Sequence, residues 1–202
     1  MLHEMAEWLV ELIFDMGYLG IFLLMAIESS FLPFPSEIVL IPAGYLASKD
    51  EMNLIMIFLA SLSGSMFGAF INYFGARFVG RSFLMSYGKY FFISQQSIQK
   101  MDDFFEKHGA ISTFTGRLIP GIRQLISIPA GLSKMNLKVF SFYTALGAGI
   151  WSIVLIALGY FIGDNELLIK TYLHQITLAV LGTIVIIISF YIYRKKHTKG
   201  QK

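Results

Sequence analysis

The chain of 202 residues contains no cysteine and little charge, with Asp, Glu, Lys and Arg making up only 14% of it. Without cysteine there is no disulfide framework, no thiolate metal site and no thiol nucleophile. Against 55% hydrophobic residues, so small a charged fraction excludes an ordinary soluble domain. Histidine is sparse too: His3, His108, His174 and His197 are scattered over loops and ends, away from the long apolar stretches. A metal cluster or a histidine general base is therefore not expected. A lipid phosphatase would need one histidine as nucleophile and a second as acid, so an enzyme is not expected either. Lysine and arginine are almost missing from residues 1–76, where Lys49 stands alone. The net charge of +3 says little by itself, and no nucleic-acid partner is expected.

What the chain does have is apolar length. Long apolar stretches centre near residues 20–45, 54–76, 111–132, 139–162 and 175–193. A helical crossing of a bilayer takes about 20 such residues, so the expectation is an all-α, multi-pass integral membrane protein. Residues 1–16 read as an interfacial amphipathic segment, with Glu4, Glu7, Glu11 and Asp15 at helical spacing and Trp8 as an anchor. Arg77, Arg81, Lys89, Lys100 and Lys107 crowd into 77–107, and the tail RKKHTKGQK is strongly basic. Because Lys and Arg bias loops to the cytoplasm, both regions are expected inside and the near-neutral linker 163–174 outside.

Fixing those sides constrains the rest. Helix 139–162 must run outward and helix 54–76 inward, so residues 109–134 must enter and leave on the cytoplasmic side. Residues 17–47 do the same from outside. The two stretches also repeat: PFPSEIVLIPAG (33–44) and PGIRQLISIPAG (120–131) share P-x8-P-A-G, and each precedes a glycine-rich apolar helix. The sequence thus predicts an inverted-topology repeat with two opposed re-entrant helical hairpins plus transmembrane helices. All five prolines, Pro33, Pro35, Pro42, Pro120 and Pro129, fall in these hairpins, and with Gly121 they are expected to break the helices there. The expected organisation is the segment 1–16, a transport domain over 17–165, and over 166–202 a last transmembrane helix with a basic cytoplasmic tail.

Charge divides between the hairpins. The first holds Glu28 and Glu37, the second Arg117 and Arg123. A lone charge near the bilayer centre costs roughly 2.5 to 3.5 kcal/mol on insertion scales, so the four must be paired, hydrated or in use. As mutual counter-ions they would staple the tips together, although buried ion pairs stabilise poorly compared with apolar packing. Arginine's planar fork of donors suits phosphate, which makes Arg117 and Arg123 candidate headgroup ligands. Glu28 and Glu37 are then candidate counter-ions or proton carriers. Two lesser readings complete the set. Gly64 and Gly68 form G-x-x-x-G, a close-packing signal. SQQSIQKMDDFFEKHG reads as a short amphipathic helix with Ile98, Met101 and Phe105 on one face, stopped by Gly109.

Over about residues 10–165, ESSFLPFPSEIVLIPAGYLA, YFGARFVGR, HGAISTFTGRLIPGIRQLISIPAGLSKM and GAGIWSIVLIALGYFIG resemble, in order, the motifs of the DedA family, also called the VTT or SNARE-associated Golgi protein domain. G-R-x-x-P-G-x-R followed by P-A-G is the most specific part. The resemblance implies a bacterial inner-membrane lipid translocase or scramblase with two opposed re-entrant hairpins. Its expected cargo is undecaprenyl phosphate, the alternative being a phospholipid such as phosphatidylethanolamine, and protons are the expected coupling ion. The family's acidic pair falls on Glu28 and Glu37 and its arginine pair on Arg117 and Arg123. A scaffold that transports nothing is the reading from another class.

Overall fold

A computed structural model describes residues 16–30, 35–81, 95–119 and 121–162, together with isolated positions 165, 175, 178, 179, 182, 186 and 189; of 95–98 it describes the backbone alone. The interfacial segment with Trp8, Pro33, Pro120 and most of the last apolar stretch and tail lie outside the described residues. Among those described, the chain is all-helical. Six α-helices follow in order: α1 (Tyr18–Glu28), α2 (Glu37–Ser48), α3 (Leu54–Phe74), α4 (Gln95–Leu118), α5 (Ser127–Leu132) and α6 (Leu137–Ile162). A π-helical turn, Gly75–Gly80, prolongs α3 without a break in direction of the chain.

Two helical runs, Leu54–Gly80 and Leu137–Ile162, are long and apolar enough to cross a membrane. Each is about 40 Å long at 1.5 Å per residue. Their outward faces carry Ile55, Leu59, Phe67, Phe142, Ile153 and Phe161, all exposed, which suits a lipid solvent. Both runs start in the same way. Asn53 Oδ1 accepts from the backbone N–H of Ile55 and Met56, at 2.9 and 3.2 Å. Asn136 Oδ1 accepts from Lys138 and Val139, at 2.9 and 3.3 Å. Each cap satisfies orphan donors of a first turn. Just ahead of each, a non-glycine residue takes the left-handed conformation, Asp50 at φ 62° and Lys134 at φ 54°.

This shared start extends the internal repeat. Met52–Tyr73, MNLIMIFLASLSGSMFGAFINY, aligns without a gap on Met135–Ile156, MNLKVFSFYTALGAGIWSIVLI. The contacts align as well. A methyl group on Gly64 would overlap Phe22 O and crowd Met25 Cβ, while one on the equivalent Gly147 would crowd Phe114 O and overlap Arg117 Cβ. A methyl on Gly44, the glycine of the first P-A-G, would overlap Ile156 O; on Gly131, the glycine of the second, it would overlap Tyr73 O. Those two carbonyls are the last aligned positions of the long helices.

The packing therefore exchanges partners. α1 lies on α3 and α4 on α6, each within its own half, whereas α2 lies on α6 and α5 on α3, in the opposite half. α1 and α2 touch each other far less than they touch α3 and α6, and α4 and α5 also meet less than they meet those helices. Gly68 against Ala26 O joins Gly64 on the α1–α3 contact, so the G-x-x-x-G is a packing device, as its spacing suggests. One apolar core gathers Ile21, Leu40, Ile57, Leu155 and Trp151, and a second gathers Tyr73, Phe105, Ala130 and Phe140. At the second core, Tyr73 donates its hydroxyl to Met135 O, accepts from Arg77 Nη1 at 2.7 Å and stacks on Phe140.

Three expectations are corrected. Pro42 does not break a helix but sits inside α2, whose seat on α6 through Gly44 and Gly159 holds the turn despite the missing N–H. Pro129 is likewise inside α5, in its first turn, where an N–H has no helical partner to lose. Gly109 does not stop the amphipathic helix: α4 runs on to Leu118, because Met135 Sδ lies 3.1 Å from where a Cβ would stand and the position needs a small residue. The breaks lie instead after Glu28 and after Leu118, with Gly121 at φ 80° in the second. Pro35 stands just ahead of α2, its carbonyl accepting from Ile38 N.

Candidate functional site

The ends of α1 and α4, the start of α2 and the turn 121–126 meet over the middle of α3 and α6. α1 ends on Glu28, which is buried; Ser29 Oγ donates to its Oε2 at 2.9 Å and Gln124 Nε2 to its Oε1 at 3.2 Å. Arg123 comes from the turn after α4. Its Nε stands 3.2 Å from Glu28 Oε1 and its Nη2 3.5 Å from Glu37 Oε2, so one guanidinium faces both carboxylates. The geometry is loose: the distances are those of an ion pair, but the Nε–H is not aimed at Glu28 and makes no hydrogen bond. On its other side the guanidinium carbon lies 5.5 Å from the ring centre of Trp151, over the indole face.

Arg117, in the last turn of α4, is buried and donates from Nη2 to Ser127 Oγ at 3.0 Å. Its Cβ lies under Gly147, which ties the position to α6. Among the described residues it forms no ion pair with either glutamate. The four predicted residues are thus brought to one place unequally, Arg123 facing both acids and Arg117 held by a hydroxyl. With both acids and both arginines ionised, the cluster is neutral in sum.

Arg117, Arg123 and Glu28 line a cavity of about 20 Å³ with Ser36, Trp151 and Ser152 among its other walls. That is room for about one water molecule. Five atoms of these lining residues, Ser36 Oγ, Arg117 Nε, Arg123 Nε and Nη1, and Trp151 Nε1, are buried without a hydrogen-bond partner. Buried polar atoms without partners are uncommon, and five around one cavity mark a place built for something else.

Sequence reasoning missed Asn72, Gln124, Ser36 and Trp151. Asn72, buried on α3, donates from Nδ2 to Ser29 O at 3.1 Å, Ser30 O at 2.7 Å and Gln124 O at 3.3 Å, joining the end of α1 to the turn 121–126. The signal that could have found it is a lone amide in an apolar helix. Trp151 carries the same signal only faintly, since an indole in a membrane helix is ordinarily apolar bulk. Of the histidines, His108 is described; it stacks on Phe104 in α4 and lies outside the cavity lining. Among the described residues no group of His, Asp and Glu could hold a metal ion.

Residues 34–161 match the VTT domain family. The chain is 38% identical over 198 residues to the uncharacterized membrane protein YkoX of Bacillus subtilis, covering 98% of this chain and 88% of that one. It is 35% identical over 202 residues to undecaprenyl phosphate transporter A of the same organism, covering 98% and 96%. An alkaline phosphatase-like protein of Lactococcus lactis subsp. cremoris is 37% identical over 191 residues, covering 91% and 89%. No solved structure matches. With the family model covering more than half of the chain, and relatives named as membrane proteins aligned over nearly all of it, the chain belongs to the VTT-domain, or DedA, family of membrane proteins.

Proposed function

We propose that the protein is a lipid translocase that carries a phosphate-bearing lipid, undecaprenyl phosphate, across the cytoplasmic membrane in exchange for or together with protons. The observation that carries this reading is the meeting of Glu28, Arg117 and Arg123 at one small cavity with unpartnered donors, with Glu37 facing Arg123 beside it. Support comes from relatives named undecaprenyl phosphate transporter A in two organisms, at 30% and 35% identity over nearly the whole chain.

In the closed arrangement Arg123 is neutralised by both glutamates, and the cavity is too small for a phosphate. Admission of a headgroup parts the hairpin tips; the phosphate takes the two guanidiniums, and the displaced carboxylates take up protons. The prenyl tail stays in lipid, since a chain of this length cannot enclose it. Transport of a fluorescent polyprenyl phosphate analogue into vesicles, with and without a pH gradient, tests the scheme. Arg117→Lys and Arg123→Lys keep charge but lose the fork, and each should cut transport at least tenfold with expression unchanged. Glu37→Gln should transport without responding to the gradient. Full activity in both Lys variants reduces the arginines to counter-ions, and equal activity on phosphatidylethanolamine would make the protein a phospholipid scramblase instead.

A further inference from the structure

We propose that Trp151 is a phosphate ligand, its indole N–H completing the anion site that the two arginines begin; the proposal rests on the translocase reading above. The argument starts from what the cavity lacks. Four of its five unpartnered atoms, Arg117 Nε, Arg123 Nε and Nη1, and Trp151 Nε1, donate and cannot accept, and the fifth, the Ser36 hydroxyl, is free to donate. A water molecule, the most that about 20 Å³ admits, accepts two hydrogen bonds. It leaves at least one donor orphaned. An occupant that satisfies them all must be rich in acceptors and poor in donors, and a tetrahedral oxyanion with several terminal oxygens is that occupant.

Trp151 differs from Arg123 and Ser36 in how firmly it is held. It is 5% exposed and belongs to the apolar core that α6 shares with α1 and α2. Arg123 comes from a turn and Ser36 from the position before α2, both next to helix breaks. A fixed donor on a long helix sets where the phosphate stops, while Arg123 adjusts to it. The ring has a second task at the same time: the Arg123 guanidinium lies over it at 5.5 Å, so stacking keeps that cation in place once Glu28 and Glu37 withdraw.

The two tasks can be separated. Trp151→Phe keeps an aromatic face under Arg123 and removes only the N–H; Trp151→Leu removes both. The full-length protein in nanodiscs should bind radiolabelled farnesyl phosphate about tenfold or more weaker as Trp151→Phe, at an unchanged thermal midpoint, and weaker still as Trp151→Leu. The chain has two tryptophans, Trp8 and Trp151, so in a Trp8→Phe background the emission is that of Trp151 alone. Farnesyl phosphate should shift that emission saturably and farnesol should not, a readout that needs no change at Trp151. An equal shift with inorganic phosphate keeps Trp151 as an oxyanion ligand but assigns the anion to a soluble source rather than a lipid headgroup. Wild-type affinity in Trp151→Phe, or an emission that ignores saturating farnesyl phosphate, overturns the assignment. If Arg123→Lys then still loses binding, the translocase reading survives without it; a folded wild type that binds no phosphate compound overturns both.

Discussion

At the scale of single residues, Asn72 does what neither arginine can, because one amide bridges both sides of the cluster. Its two hydrogens are shared among Ser29 O, Ser30 O and Gln124 O. Asn72→Ala would leave carbonyls buried without donors, at a cost of about 2 kcal/mol. The thermal midpoint in detergent should fall accordingly, and Asn72→Asp should do worse, since a carboxylate cannot donate and would stand near Glu28. A second clamp lies at the far end of α3. Arg81 reaches Asp102 with both terminal nitrogens, at 2.8 and 2.7 Å, and also donates to Leu132 O, so it ties the end of the π-turn to α4 and α5. The hydrogen bond to Asp102, opposed by partial burial and aided by the same carboxylate's charge, raises the guanidinium's pKa above its ordinary value. A cation whose folded pKa is raised stabilises fully below the unfolded value and loses that only as pH climbs through the folded one. The midpoint difference between wild type and Arg81→Gln should therefore be small, as for a partly exposed pair worth up to about 1 kcal/mol, and should not shrink between pH 7 and 10 for any reason arising at Arg81. The charged residues were legible in the sequence because charge in an apolar stretch is conspicuous; Asn72, Gln124 and Ser36 were not, since nothing in their spacing says which carbonyl or cavity they reach.

At the scale of elements, glycine rather than proline decides how the short helices sit. Gly44 and Gly131 let two short helices lie directly on the backbones of α6 and α3, where even a methyl group would overlap a carbonyl. Gly44→Ala and Gly131→Ala should each lower stability by a few kcal/mol, by overpacking against backbone that cannot yield. Gly75→Ala is the control: nothing lies within 4 Å of a Cβ there, so it should be neutral or slightly stabilising. Thermal unfolding of the three purified variants decides the matter. The P-A-G repeat made these positions visible in the sequence, but only as a motif. Which helix each glycine meets could not be read, because the repeat marks like positions and is silent on which half each one packs against. Pro42 and Pro129 misled for a related reason: a proline's local penalty is certain, yet packing of the surrounding turn decides whether the helix survives it.

At the scale of the whole molecule, the apolar lengths of α3 and α6 and the repeat that contains them were legible, while the exchange of partners between halves was not. The topology that charge implies has a direct test. Lys49 and Lys100 are both exposed, and an impermeant amine reagent should reach Lys49 from outside and Lys100 only after the cell is opened. Labelling of both from one side would remove the case for opposed hairpins. The exchange itself bears on how the protein is made. At about 5 to 20 residues per second, the ribosome finishes α2 many seconds before it produces Ile156, the residue on which Gly44 comes to rest. Through that interval α1 and α2 are complete in sequence but α2 has no seat, a state open to quality-control proteases. A chain ending at residue 134 should therefore be cleared rapidly from cells, and residues 135–202 supplied as a separate polypeptide should rescue it, which places the riskiest moment of this protein's life before its last long helix is born.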